Sequence, residues 1–297
     1  MILRYASLLL AALLLPVTAV QAKPKPLEVL ERVGKWNMHY SDGACYLMGA
    51  FGSGADQVIL RLTRIGPDEP PRVSLFGKRF GKFNGPFLPA TVYFFPTAAI
   101  PEKTEVIIGT SGSGHSKLAS VFINSARFDN RRESSRGISI LPPVDPAVEQ
   151  TITGLHLEIN GTRPLELSLP SLKNPMVAMR KCTDQLVKDW GFDPAELSTR
   201  RTRTTPATEP TTWARSGDWP TELIGYGGSA LVTFRLNVDE TGAVSDCIVH
   251  EVTKPEEIGA LTCKLMKQRA RFSPSIDAAG KPVKDFWINR VFWRTGL

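Results

Sequence analysis

The chain has 297 residues, 42% of them hydrophobic, with 36 Lys and Arg against 29 Asp and Glu, a formal charge of +7. That length allows two domains at ~100–200 residues each, and that apolar share allows ordinary packed cores. The charge is moderate and partly concentrated in a linker and on one helix face, so it makes no case for nucleic acid. A basic surface would instead favour anionic envelope components.

The chain opens as a secretion signal. Arg4 supplies the positive start, Ala6 to Val20 the apolar stretch, and Val20-Gln21-Ala22 a small-residue cleavage site. Residues 1–22 are therefore expected to be removed, with a mature start near Lys23. The apolar stretch is shorter than the ~20 residues a spanning helix needs. No cysteine follows it, so a lipid anchor is not expected. Retention as an inner-membrane anchor facing the periplasm is the alternative.

Residues 26–197 read as a mainly β domain. Gln57 to Leu62, Arg72 to Phe76, Thr91 to Phe95, Glu105 to Ile108, Leu118 to Ile123 and Leu155 to Ile159 are short apolar or alternating runs between Gly and Pro clusters. Such spacing predicts a sandwich, a barrel or a curled sheet. Met176 to Trp190 carries apolar residues near helical spacing, and Gly191 is a fitting stop. The aromatic series from Trp36 to Phe87 is expected as core, with a sugar- or peptide-binding cleft as the alternative.

Residues 198–217, STRRTRTTPATEPTTWARSG, have no apolar period and read as a linker that buries no core. Arg200, Arg201 and Arg203 are expected to form a solvated, self-repelling tether.

The cysteines are Cys45, Cys182, Cys247 and Cys263. An even count in an exported chain points to disulfides, and four cysteines allow three pairings. Position along the chain favours Cys45 with Cys182 and Cys247 with Cys263, one bond per domain. A metal site lacks the C-x-x-C spacing and paired histidines it would need.

No pattern carries catalysis. Gly109 to Gly114, GTSGSG, misses the G-x-S-x-G elbow and the phosphate-binding G-x-x-x-x-G-K-[ST]. His39, His115, His156 and His250 are scattered, and the acids form no evident catalytic pair. The chain is expected not to be an enzyme and to need no cofactor or metal.

Residues 218–297 carry the densest information. Two apolar runs flank Asp239-Glu240-Thr241-Gly242, a hairpin signal. Thr253 and Glu256 have the spacing of a capping box, with Pro255 in the first helical turn. Ile258, Leu261, Leu265 and Met266 form the buried stripe of the helix. Phe286 to Arg294 is a strand: Trp287, Asn289, Val291 and Trp293 face one way, and Phe286, Ile288, Arg290 and Phe292 the other. If the helix packs on the hairpin, Cys247 and Cys263 can meet; two separate buried thiols are the alternative.

This order of hairpin, helix and strand resembles the C-terminal domain of TonB, the periplasmic energy transducer of Gram-negative bacteria. The landmarks are Trp219-Pro220, Gly225 to Gly228, the V-D-x-x-G-x-V turn at Val238 to Val244, R-F-x-P at Arg271 to Pro274, then Asp277 and Gly280 to Val283. WNMHYSDGACYLMGAFGSG also resembles segments found ahead of TonB-like domains in some exported proteins. The fold class so implied is α+β: a mainly β domain ending in a helix, then a small antiparallel three-stranded sheet packed on a helix.

In that family the last strand lies at or near a sheet edge, and outer-membrane receptors dock an extended segment beside it. The resemblance thus implies Trp287, Asn289, Arg290, Val291 and Trp293 as partner-binding residues. The implied partners are an outer-membrane receptor peptide or another envelope protein, with peptidoglycan or a second copy of the chain as further candidates. A transducer also needs a retained membrane helix and a long Pro-rich spacer. Here the apolar segment is short and a folded domain takes the spacer's place. The expected role is that of an exported periplasmic adaptor. The alternatives are a true transducer for transport across the outer membrane and a cell-wall or sugar-acting enzyme in residues 26–197.

Overall fold

The computed structural model describes residues 26–83, 85–98, 100–112, 117–123, 126–131, 141–160, 162–226, 229–253 and 256–294. The expected signal segment, His115 with Ser113 and Gly114 of the GTSGSG tip, Gly227, Gly228 and Pro255 lie outside them. Strands predominate, with few helices, so the fold class is α+β.

Nine strands close into a barrel: β1 (Glu28–Tyr40), β2 (Cys45–Phe51), β3 (Val58–Arg64), β4 (Arg72–Phe76), β5 (Phe87–Phe95), β6 (Thr104–Ser111), β7 (Leu118–Ile123), and, after α1 (Pro146–Thr151), β8 (Gly154–Ile159) and β9 (Leu165–Ser168). Their order is β1-β2-β3-β4-β7-β6-β5-β8-β9. Closure comes from a parallel pairing of Glu28–Glu31 with Leu165–Ser168, whereas the other neighbours are antiparallel. Period-two alternation turns Leu47, Leu60, Leu75, Val121, Phe94 and Leu157 inward, where they share one core.

Helix α2 (Lys173–Asp189) adds Met176, Met179, Cys182 and Leu186 to that core. It stops before Gly191, whose φ of 85° suits glycine. Cys182 is bonded to Cys45 at the start of β2. At the same end Glu149 of α1, 1% exposed, takes Arg64 of β3 at 2.7 Å and Arg180 of α2. The paired guanidiniums are what make a carboxylate tolerable at that depth.

The chain continues through α3 (Pro194–Thr199) and β10 (Thr205–Pro206) into β11 (Ser229–Val238), β12 (Val244–Val252), α4 (Glu257–Arg269), β13 (Phe272–Ser273), β14 (Ser275–Ile276), β15 (Pro282–Val283) and β16 (Asp285–Arg294). The main sheet here has the order β12-β11-β16. One face lies under α4, where Val232, Phe234 and Leu236 meet Ile258, Leu265 and Met266. Cys247 and Cys263 are bonded and tie β12 to α4. The other face lies against the outside of the barrel: Ile288 joins Ala44 and Ile65, Phe292 meets Phe87, and Phe286 meets Trp190.

Two expectations are corrected. Residues 198–217 are not a solvated tether. Arg200 is almost fully buried, pairs with Asp68 of the barrel and lies 3.6 Å from Asp285 of β16, while Arg203 reaches Asp68 at 3.0 Å. Thr205 and Pro206 pair with Ser273 and Phe272. Trp213 is buried between Phe272 and Trp287. Lack of an apolar period rules out a self-sufficient element, not a strap held by its neighbours' acids and rings. The capping box is also absent. Thr253 spends its Oγ1 on the amide of Leu231, at 2.8 Å, and the N-cap is Glu256, with no side-chain bond.

Candidate functional site

The seam between barrel and sheet is built from arginines set in largely apolar strands. On the barrel's outer face the antiparallel register sets Thr63 beside Arg72 and Arg61 beside Ser74. On the facing sheet Thr233 lies between Glu251 and Arg290. Thr233 is fully buried, and its Oγ1 accepts from Arg72 Nη1 at 3.0 Å and Arg290 Nε at 3.3 Å. One hydroxyl thus joins the barrel to both strands.

A register shift in β12 sets Glu251 and Val249 opposite Thr233 and Phe234, leaving His250 between them without a ladder partner. Such irregularities re-aim a side chain. His250 lies beside Trp190, whose ring also carries Arg235 at 3.9 Å. Burial, then Arg235 and Arg72, push the His250 pKa down to about 4, so the imidazole is neutral at ordinary pH. Burial first, then Arg72, lowers the Arg290 pKa to about 9, against the opposing pull of Glu251. Burial likewise lowers the Arg72 pKa, with Glu69 and Glu251 opposing.

Three hollows adjoin this seam. A cavity of about 570 Å³ has Arg61, Thr63, Arg72, His250, Glu251 and Arg290 among its walls. A second, of about 250 Å³, runs by Glu69, Arg127, Asn289, Arg290 and Phe292. A third, of about 170 Å³, is bordered by Asp68, Arg203, Thr204, Trp287 and Asn289. All three border β16, which among the described residues pairs with β11 alone.

The five residues read as partner contacts are divided by this geometry. Trp293 is 3% exposed beneath α4, and its indole Nε1 donates to Thr262 Oγ1 at 2.9 Å. Trp287 and Val291 pack against the same core. Their side chains hold the module together. Asn289 and Arg290 line the hollows beside the strand. The Phe286 and Arg290 amides donate, both at 2.8 Å, to the side chains of Asp285 and Asn289. The even-numbered amides of β16 therefore point away from β11, and two of them are already capped. Capping of this kind blunts an edge strand.

The arginine seam was not anticipated. Its signal is an Arg inside an otherwise largely apolar run, as in VILRL, LVTFRLNV and FWINRVFW. Among the described residues no group of three or more His, Cys, Asp or Glu side chains could hold a metal ion, and no helix is long and apolar enough to cross a membrane. Two formed disulfides fit an oxidising compartment. Comparison of the chain with protein-family models, with curated proteins and with solved structures finds no match.

Proposed function

We propose that the chain is an exported, non-enzymatic binding or adaptor protein of the Gram-negative periplasm. Its C-terminal module, which resembles the TonB C-terminal domain, would take an extended segment of an envelope partner by strand addition along β16. The observation that carries this reading is that, among the described residues, β16 pairs with β11 alone and has hollows beside it. An added strand would bond the outward amides, and the hollows would receive its alternate side chains. Asn289 would have to release the Arg290 amide as the partner enters. The docking side chains on this reading are Asn289 and Arg290. Trp287, Val291 and Trp293 keep the strand in place.

A photoreactive residue at Asn289, in cells producing the full chain, tests the reading. It should crosslink one envelope polypeptide, and a synthetic peptide from the crosslinked stretch should protect the Ile288 amide from hydrogen exchange. Crosslinking no stronger than from Lys264, exposed on α4, would sink it. N-terminal sequencing of the mature protein separates this adaptor from an anchored transducer: a start at Lys23 excludes the anchor.

A further inference from the structure

We propose that the 570 Å³ cavity between barrel and sheet binds an anionic amphiphile: a carboxylate or phosphate head among Arg61, Thr63 and His250, and an acyl tail laid across the outside of β7, β6 and β5. A single transverse row of residues forms its floor. The registers run Arg61 to Ser74, Ser74 to Phe122, Phe122 to Ile107 and Ile107 to Phe87. All five line the cavity. The row is polar on β3 and β4 and wholly apolar on β7, β6 and β5. At ~4.8 Å between neighbouring strands the apolar part extends ~10 Å, and the whole row roughly twice that.

The polar end is unfinished. Arg61 Nε, Thr63 Oγ1 and His250 Nε2 are buried atoms without a hydrogen-bond partner, and all three residues face this cavity. Buried polar atoms are rarely left so, because each forfeits its bonds to water. Arg Nε donates only, a threonine hydroxyl can donate, and a neutral histidine donates from Nε2 in that tautomer. An oxyanion is a group that can accept from such donors. Charge agrees: among the described residues three arginines line the cavity against one carboxylate, Glu251. The Arg61 guanidinium is held over the Tyr46 and Phe76 rings at 5.2 and 5.0 Å, which fixes it without neutralising it. The volume lies within the ~300–1,000 Å³ of small-molecule sites. The head-group residues Arg61, Thr63 and His250 lie on β3 and β12, so the site needs no strand docked on β16, although Arg290 and Phe292 of β16 are among its walls.

Calorimetric titration of the full mature chain tests this with four probes: octanoate, octyl phosphate, 1-octanol and acetate. Octanoate and octyl phosphate should bind saturably at one site, and octanol and acetate at least tenfold more weakly, since each lacks one half of the ligand. The ratio of octanoate to octyl phosphate distinguishes a fatty acid from a phospholipid head. Arg61→Gln should weaken octanoate at least tenfold with an unchanged melting temperature. Should that variant fail to fold, Ile107→Trp, which fills the tail end from the barrel's outer face, should abolish octanoate binding. Octanol binding as tightly as octanoate, unchanged octanoate binding in either folded variant, or no saturable binding of any probe would overturn the proposal.

Discussion

Gly242 and Phe272 meet backbone to backbone. The Phe272 amide donates to the Gly242 carbonyl at 3.0 Å, and a Cβ built on Gly242 would fall 2.0 Å from the Phe272 carbonyl oxygen. Two landmarks lying 30 positions apart, the hairpin turn and the R-F-x-P segment, are thus one contact. Gly242 also has φ of 84°. Gly242→Ala therefore combines left-handed strain of about 1–2 kcal/mol with a clash against a backbone atom that cannot rotate away. A loss of roughly 3 kcal/mol is expected in urea unfolding, and a loss under about 1 kcal/mol would show that the turn yields.

Arg200 couples the strap to both halves of the molecule. Asp285 is 1% exposed and accepts from the Thr204 amide at 3.0 Å, with the Arg200 guanidinium beside it. Arg200→Ala leaves that carboxylate buried without its cation, which costs about 3–5 kcal/mol. Asp68→Ala, on the more exposed side of the same guanidinium, should cost clearly less. Equal losses from the two variants would mean that Asp285 is solvated in solution.

How far the fold could be read depended on what each strand buries. QVILRL and LASVFI stand out because their β-branched residues line a core. β1 does not, because Glu28–Tyr40 is exposed along most of its length and interleaves Glu, Arg and Lys with its apolar residues. β2, CYLMGAF, lacks β-branched residues, and its Gly49 exists to admit the Trp36 ring, which a Cβ would meet at 2.7 Å. The edge position of β16 is implied by the family resemblance, whereas the arginine seam is not. Arg72 and Arg290 converge on Thr233 only because the sheet docks on the barrel, and nothing local to those strands encodes that docking.

The two disulfides should differ in what they hold. Cys247–Cys263 spans 16 positions and Cys45–Cys182 spans 137. In the chain-entropy account these loops correspond to about 3 and about 5 kcal/mol. Cys247→Ser with Cys263→Ser should loosen α4 from β12 and leave the barrel folded. Cys45→Ser with Cys182→Ser should lower the barrel transition by more. Hydrogen exchange by segment reads this directly, and identical protection in both variants would refute the division.

His250 gives the stability of the seam a defined pH dependence. The ordinary histidine pKa is about 6.5, and in the fold burial, Arg235 and Arg72 bring that of His250 to about 4. Between those values the unfolded chain takes up a proton that the folded chain refuses. Stability from this group is therefore complete above pH ~6.5 and falls as the pH drops towards 4. At pH 5 the loss relative to pH 7 should approach about 2 kcal/mol, less whatever solvent screens at this partly exposed ring. Asp218 and Asp246, whose pKa values are lowered by their bonds to Arg269 and Lys267, stay ionised throughout that interval. Other histidines cancel when His250→Gln is compared with the unaltered chain. The variant should lose about 2 kcal/mol less between pH 7 and pH 5, measured by urea midpoints at each pH. Parallel pH profiles would mean that the His250 proton is not excluded by Arg235 and Arg72, and that the seam is wetter than its packing implies.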